Sequence, residues 1–87
     1  MNSRRLPAVV EELREASERE LSAQGIAMPY FRRWLSAAES GKVDGSVEGA
    51  LVALEYELGA APEDPRKWSA LSPWVERLRG ERAASQD

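Results

Sequence analysis

The chain has 87 residues, a net charge of −3 and 31% charged side chains, and it contains neither cysteine nor histidine. Those two absences exclude a disulfide or thiolate-metal scaffold, and remove the commonest metal ligand and general base near neutral pH. The length allows one small domain, and the acid excess gives no global basic footprint for nucleic acid. No apolar run approaches the length of a bilayer span, and no signal-peptide core follows Asn2-Ser3-Arg4-Arg5, so a cytoplasmic location and no membrane contact are expected. Catalysis by this chain alone would have to rest on carboxylates, tyrosine, serine or lysine. That poverty favours a chain that assists another protein.

The first helix is expected from about Pro7, a residue suited to a first helical position, to about Gln24, with Gly25 as its stop. With Val10 at zero and about 100° per residue, Leu6, Leu13, Ser17 and Leu21 fall within about 60° of it. On the same wheel Arg14 lies at about 40°, on the flank of the apolar stripe. The second helix is expected from Pro29 to Gly41, with Tyr30, Trp34, Ala37 and Ala38 on one face and Phe31 and Leu35 widening it. Ser46 is a good N-cap for a third helix ending at Gly59, in which Val47, Ala50, Leu51, Leu54 and Leu58 recur at helical steps.

After the connector Ala60 to Pro65, Asp64-Pro65 predicts a single turn through Trp68, and Ser72-Pro73 a last helix as far as Arg79-Gly80. The fold class is all-α: three main helices with one or two short C-terminal helical turns. Residues 1–80 form a single small helical domain and 81–87 a polar, frayed tail. Three tryptophans, two tyrosines and one phenylalanine supply most of the bulk available for a core. A helix pair with an extended C-terminal arm, an open arrangement completed by a partner, is therefore as consistent with the pattern as a closed bundle.

Two segments carry the functional signal. Val10-Glu11-Glu12-Leu13-Arg14, then Glu18-Arg19, set one arginine on the rim of an apolar helix face; Pro29-Tyr30-Phe31-Arg32-Arg33-Trp34-Leu35 sets aromatics one turn apart on the next helix. In this order they resemble the N-terminal helical region of the β subunit of nitrile hydratases. The likeness spans roughly residues 7 to 47 and continues through Ala37, Ala38, Glu39 and Gly45. Arg32 stands where the family's aromatic motif carries glutamate.

The resemblance implies a partner. In that family a separate α subunit carries cobalt or iron on cysteine sulfurs, two of them oxidised, and on backbone amides. Oxidised sulfurs need cationic, fork-shaped donors, which suits guanidinium. By resemblance Arg14 takes the role of the arginine that hydrogen-bonds those oxidised cysteines, and Tyr30 and Trp34 fall where aromatics line or support the substrate pocket or subunit contact. No metal ligand is implied in this chain. A separate β-barrel subunit would supply the rest of a divided β subunit. The small activator proteins that help metallate the α subunit are similar in the same region and are the alternative.

Other readings compete. A helix arginine among glutamates is ordinarily a solvated ion-pair partner, Tyr30 and Trp34 are ordinarily core, and Arg32 and Arg33 ordinarily face water. Leu21 to Ile26 followed by Arg32 and Arg33 has the cadence of a helix-turn-helix, though the glutamate-rich helix before it presents phosphates with the wrong sign. A generic adaptor domain with no hydration chemistry is a third class. The glutamates around the first helix make a poor cage for a transition metal.

Overall fold

A computed structural model describes residues 6–85; the predicted absence of a signal segment after residues 2–5 and the last two residues of the predicted tail lie outside them. Among the described residues the chain is all-helical: α1 (Ala8–Glu18), α2 (Glu20–Ala23), α3 (Pro29–Glu39), α4 (Val47–Ala60) and α5 (Pro65–Ser85). α4 packs against both α3 and α5, while α1 contacts α4 and α5.

Local sequence explains most of the helix ends. Ser46 caps α4, its hydroxyl accepting the Gly49 N–H at 3.1 Å. At the ends of α2 and α3 the chain turns through left-handed glycines, Gly25 at φ 76° and Gly41 at φ 79°. In each case two further amides close back on the helix: Gly25 on Ser22 and Ile26 on Leu21, then Gly41 on Ala38 and Lys42 on Ala37. This double closure satisfies carbonyls that a helix end leaves bare, and β-carbons at the glycine positions would be strained. The buried pair Leu21 and Ile26 adds the apolar contact that accompanies such a stop.

Two expectations are corrected. The first helix breaks at Arg19, where φ −112° and ψ −76° separate α1 from the four-residue α2. The predicted turn and short last helix are instead one 21-residue helix, α5, which runs through Pro73 and past Gly80 to Ser85. α5 thus includes residues 81–85. Leu71, Val75 and Leu78 are all buried and form one continuous stripe. Pro73 sits about 200° from Leu71 on the helical wheel, on the solvent side. Its missing N–H deprives only the exposed Ser69 turn of a partner, so burial of the stripe outweighs the breaker.

The open arrangement is also replaced. With α5 along α4, the Cα radius of gyration is 12.6 Å, close to the roughly 12 Å expected for a compact domain of this length. The core is aliphatic: Val10, Leu13, Leu51, Leu54, Leu71 and Leu78 are at most 1% exposed, and Phe31 is the one aromatic among them. Trp34 and Trp74 pack against that core from its edge, and Tyr30, Tyr56 and Trp68 face solvent. The aromatics that were expected to build the interior mostly decorate it.

Candidate functional site

Arg14 occupies the flank that the helical period predicts: Val10, Leu13 and Ser17 are buried beside it, while its own side chain stays 30% exposed. Its Nε and Nη2 both donate to one oxygen of Glu11, at 3.1 and 2.7 Å, and Nη1 lies 3.7 Å from Glu18. The hydrogen bond to Glu11 and then the charge of that carboxylate hold the guanidinium above its usual pKa, with Glu18 and Glu39 adding to the effect and desolvation opposing it. Both of its partners are half-exposed carboxylates on its own helix, the kind of pair that an incoming anion can displace.

Tyr30 and Trp34 project from α3 toward α4 but into different surroundings. Tyr30, 43% exposed, stacks on Tyr56 of α4 with ring centroids 6.2 Å apart and planes 27° from parallel. Trp34 is half-buried, 5.8 Å from the Phe31 ring, and covers the first turn of α4 so closely that a β-carbon at Gly49 would lie 2.7 Å from its Nε1. The absence of a side chain at Gly49 is what seats the indole. Trp34 thus serves packing, and Tyr30 offers a free ring face and edge. Arg32, expected to point into water, is exposed and reaches back to the Ser17 carbonyl at 3.4 Å, at the C-terminal end of α1.

The sequence reading missed the polar centre of the molecule. Glu57 of α4 is fully buried, and its two oxygens have different duties. Oε2 accepts the Phe31 N–H at 2.8 Å, and Oε1 accepts from Lys67 Nζ of α5, also at 2.8 Å. Phe31 is the third residue of α3, a helix whose N-cap, Met28, supplies no side-chain oxygen. Glu57 therefore caps α3 from another helix, where an anion also meets the positive end of the helix dipole. The signal was present: Glu57 falls three residues after Leu54 and seven after Ala50, inside the apolar stripe, and Lys67 stands four before Leu71.

Among the described residues no group of three acids could hold a metal ion, and no helix is long and apolar enough to cross a membrane. No family model, curated protein or solved structure matches the chain. The surface presents a partly exposed arginine on α1 and an exposed aromatic pair between α3 and α4.

Proposed function

We propose that this chain is a non-metal, β-type helical subunit of a nitrile-hydratase-like enzyme, acting in the cytoplasm by covering the metal site of a separate α subunit. The observation that carries the reading is Arg14, set at the edge of a buried helix face and paired with the surface carboxylates Glu11 and Glu18 of its own helix. Supporting it is the order of motifs around Arg14, Glu18-Arg19 and Tyr30 to Trp34, which resembles the β-subunit region that meets oxidised cysteines. In the complex Arg14 would exchange Glu11 for sulfur-bound oxygens, and its planar fork would hold them in place. Tyr30 would border the substrate pocket or the subunit contact, with Trp34 behind it fixing the angle between α3 and α4. The Lewis acidity that activates the nitrile or the attacking water would come from cobalt or iron in the partner, and this chain itself would bind no cofactor.

Native mass spectrometry with metal analysis, on the protein purified from its own source, tests this directly. A stable complex with stoichiometric cobalt or iron in a second, cysteine-bearing chain is the expected result. A partner bound only before it is metallated, and released afterwards, would replace the subunit reading with that of an activator. A metal-free, solitary chain under conditions that preserve complexes would overturn both.

A further inference from the structure

Four of the five large hydrophobic side chains that stand exposed among the described residues gather on one side of the molecule: Tyr30 (43%), Val52 (41%), Tyr56 (64%) and Trp68 (42%). On α4, Val52, Tyr56 and Gly59 lie about 140° to 200° from Leu54, opposite the buried stripe. Two adjoining grooves share Glu55 and Gly59 as common walls. One, of about 570 Å³, runs beneath Tyr30, Val52 and Tyr56. The other, of about 400 Å³, lies between α4 and α5 and is bounded by Trp68, Val75 and Glu76. An aromatic and aliphatic face of this kind on a small domain marks a place where another molecule sits.

Charge says what sits there. Within the second groove two carboxylates, Glu55 and Glu76, share a single guanidinium: Arg79 is 3.6 Å from Glu55 and 3.7 Å from Glu76, both long contacts. One negative charge is therefore left over beside an exposed indole. Carboxylates next to an aromatic ring form a receptor for a cationic side chain, through ion pairing and the attraction of a cation to the ring. We infer that this face binds a basic amphipathic helix of a partner protein, with a lysine or arginine in the Trp68–Glu55–Glu76 groove and large apolar residues over Val52, Tyr56 and Tyr30. The ridge between the grooves is low at Gly59, where a β-carbon would meet nothing within 4 Å, so a helix backbone can come close. This goes beyond the proposed role of Arg14, which stands on α1 and contributes nothing to either groove.

Gly59 supplies the test. Gly59→Lys places a long cationic side chain into open space near the end of α4, where lysine favours the helix, so the fold is retained while the groove is filled and its excess charge cancelled. The probe is a display library of random helical peptides, selected on the wild-type protein and counter-selected on Gly59→Lys, with circular dichroism confirming equal helix content. The expected survivors pair lysine or arginine with large apolar residues at helical spacing and bind less tightly as salt rises. They should lose about tenfold or more in affinity for Trp68→Ala and for the double variant Glu55→Gln/Glu76→Gln, and none for Arg14→Ala. The double variant keeps the test sound if Trp68→Ala folds poorly through loss of its bond to the Ala61 carbonyl. Absence of enrichment, or survivors that are acidic or insensitive to the Glu55/Glu76 change, would overturn the inference. So would concentration-dependent dimerisation abolished by Gly59→Lys, because the occupant would then be a second copy of the chain.

Discussion

The Glu57 carboxylate and the Lys67 ammonium meet at 2.8 Å in the interior, with the residues 0% and 8% exposed. Through them α4 holds α5 on one carboxylate oxygen and the first turn of α3 on the other. A three-helix junction in so small a domain thus rests on one acid. Taking both charges from water is costly, and their mutual attraction with the Phe31 N–H offsets that cost only while all three groups are in place.

Breaking the pair from one side should therefore be severe. Glu57→Ala leaves a buried ammonium and an unsatisfied Phe31 N–H, and should lower unfolding free energy by about 3–5 kcal/mol. Lys67→Met fills similar space but leaves the buried Glu57 carboxylate with only the Phe31 N–H, so it too should be strongly destabilising. In a double-mutant cycle by denaturant unfolding, the coupling between the two positions should be at least about 1 kcal/mol. Two single changes that add would show that the pair is not coupled.

The same substitution should have opposite signs at two places on α4. At Gly59 an added methyl enters open space, and Gly59→Ala should stabilise by about 0.5–1 kcal/mol through helix propensity. At Gly49 the β-carbon would press on the Trp34 indole at 2.7 to 3.1 Å. Displacing the ring should cost about 1–3 kcal/mol, more than propensity returns, and should change the tryptophan emission. Equal stabilisation by both substitutions would mean that Trp34 is free to move.

Pro73 gives a test of the continuous α5. Pro73→Ala restores an N–H to a helix already held by Leu71, Val75 and Leu78, and should raise stability by about 1–3 kcal/mol without altering helix boundaries. If the chain were instead broken into a turn and a separate helix at Ser72-Pro73, the change would extend helix content. Far-ultraviolet circular dichroism and backbone chemical shifts distinguish the two outcomes.

Arg14→Lys addresses the proposed role. The variant should fold and associate as the wild type does, because its partners Glu11 and Glu18 accept either cation at the surface. Turnover in a complex reconstituted with the metal-bearing subunit should fall by about tenfold or more, since an ammonium cannot present two parallel donors to an oxyanion. Unchanged turnover would remove Arg14 from the mechanism.

Much of this molecule was legible in its residues, wherever the deciding interactions are local. Ser46 caps its own helix, Gly25 and Gly41 turn the chain where left-handed backbone is required, and the spacing of Val10, Leu13 and Ser17 sets Arg14 on a flank. Each depends on contacts a few residues apart, so pattern and structure coincide. Glu57 and Lys67 carried a weaker mark: polar residues inside apolar stripes, with nothing in either stripe to name the partner.

The sequence by itself determined an all-helical chain, the Ser46 cap of α4, the glycine stops after α2 and α3, the stripes that face inward, and the absence of cysteine and histidine. Tertiary structure decided which stripe meets which. That choice carries α5 through Pro73, because burying Leu71, Val75 and Leu78 against α4 outweighs one lost hydrogen bond. It also decides that aliphatic side chains fill the interior, leaving Tyr30, Tyr56 and Trp68 on a shared outer face. Burial depends on which surfaces come together, and a residue's neighbours across a helix interface are not its neighbours along the chain.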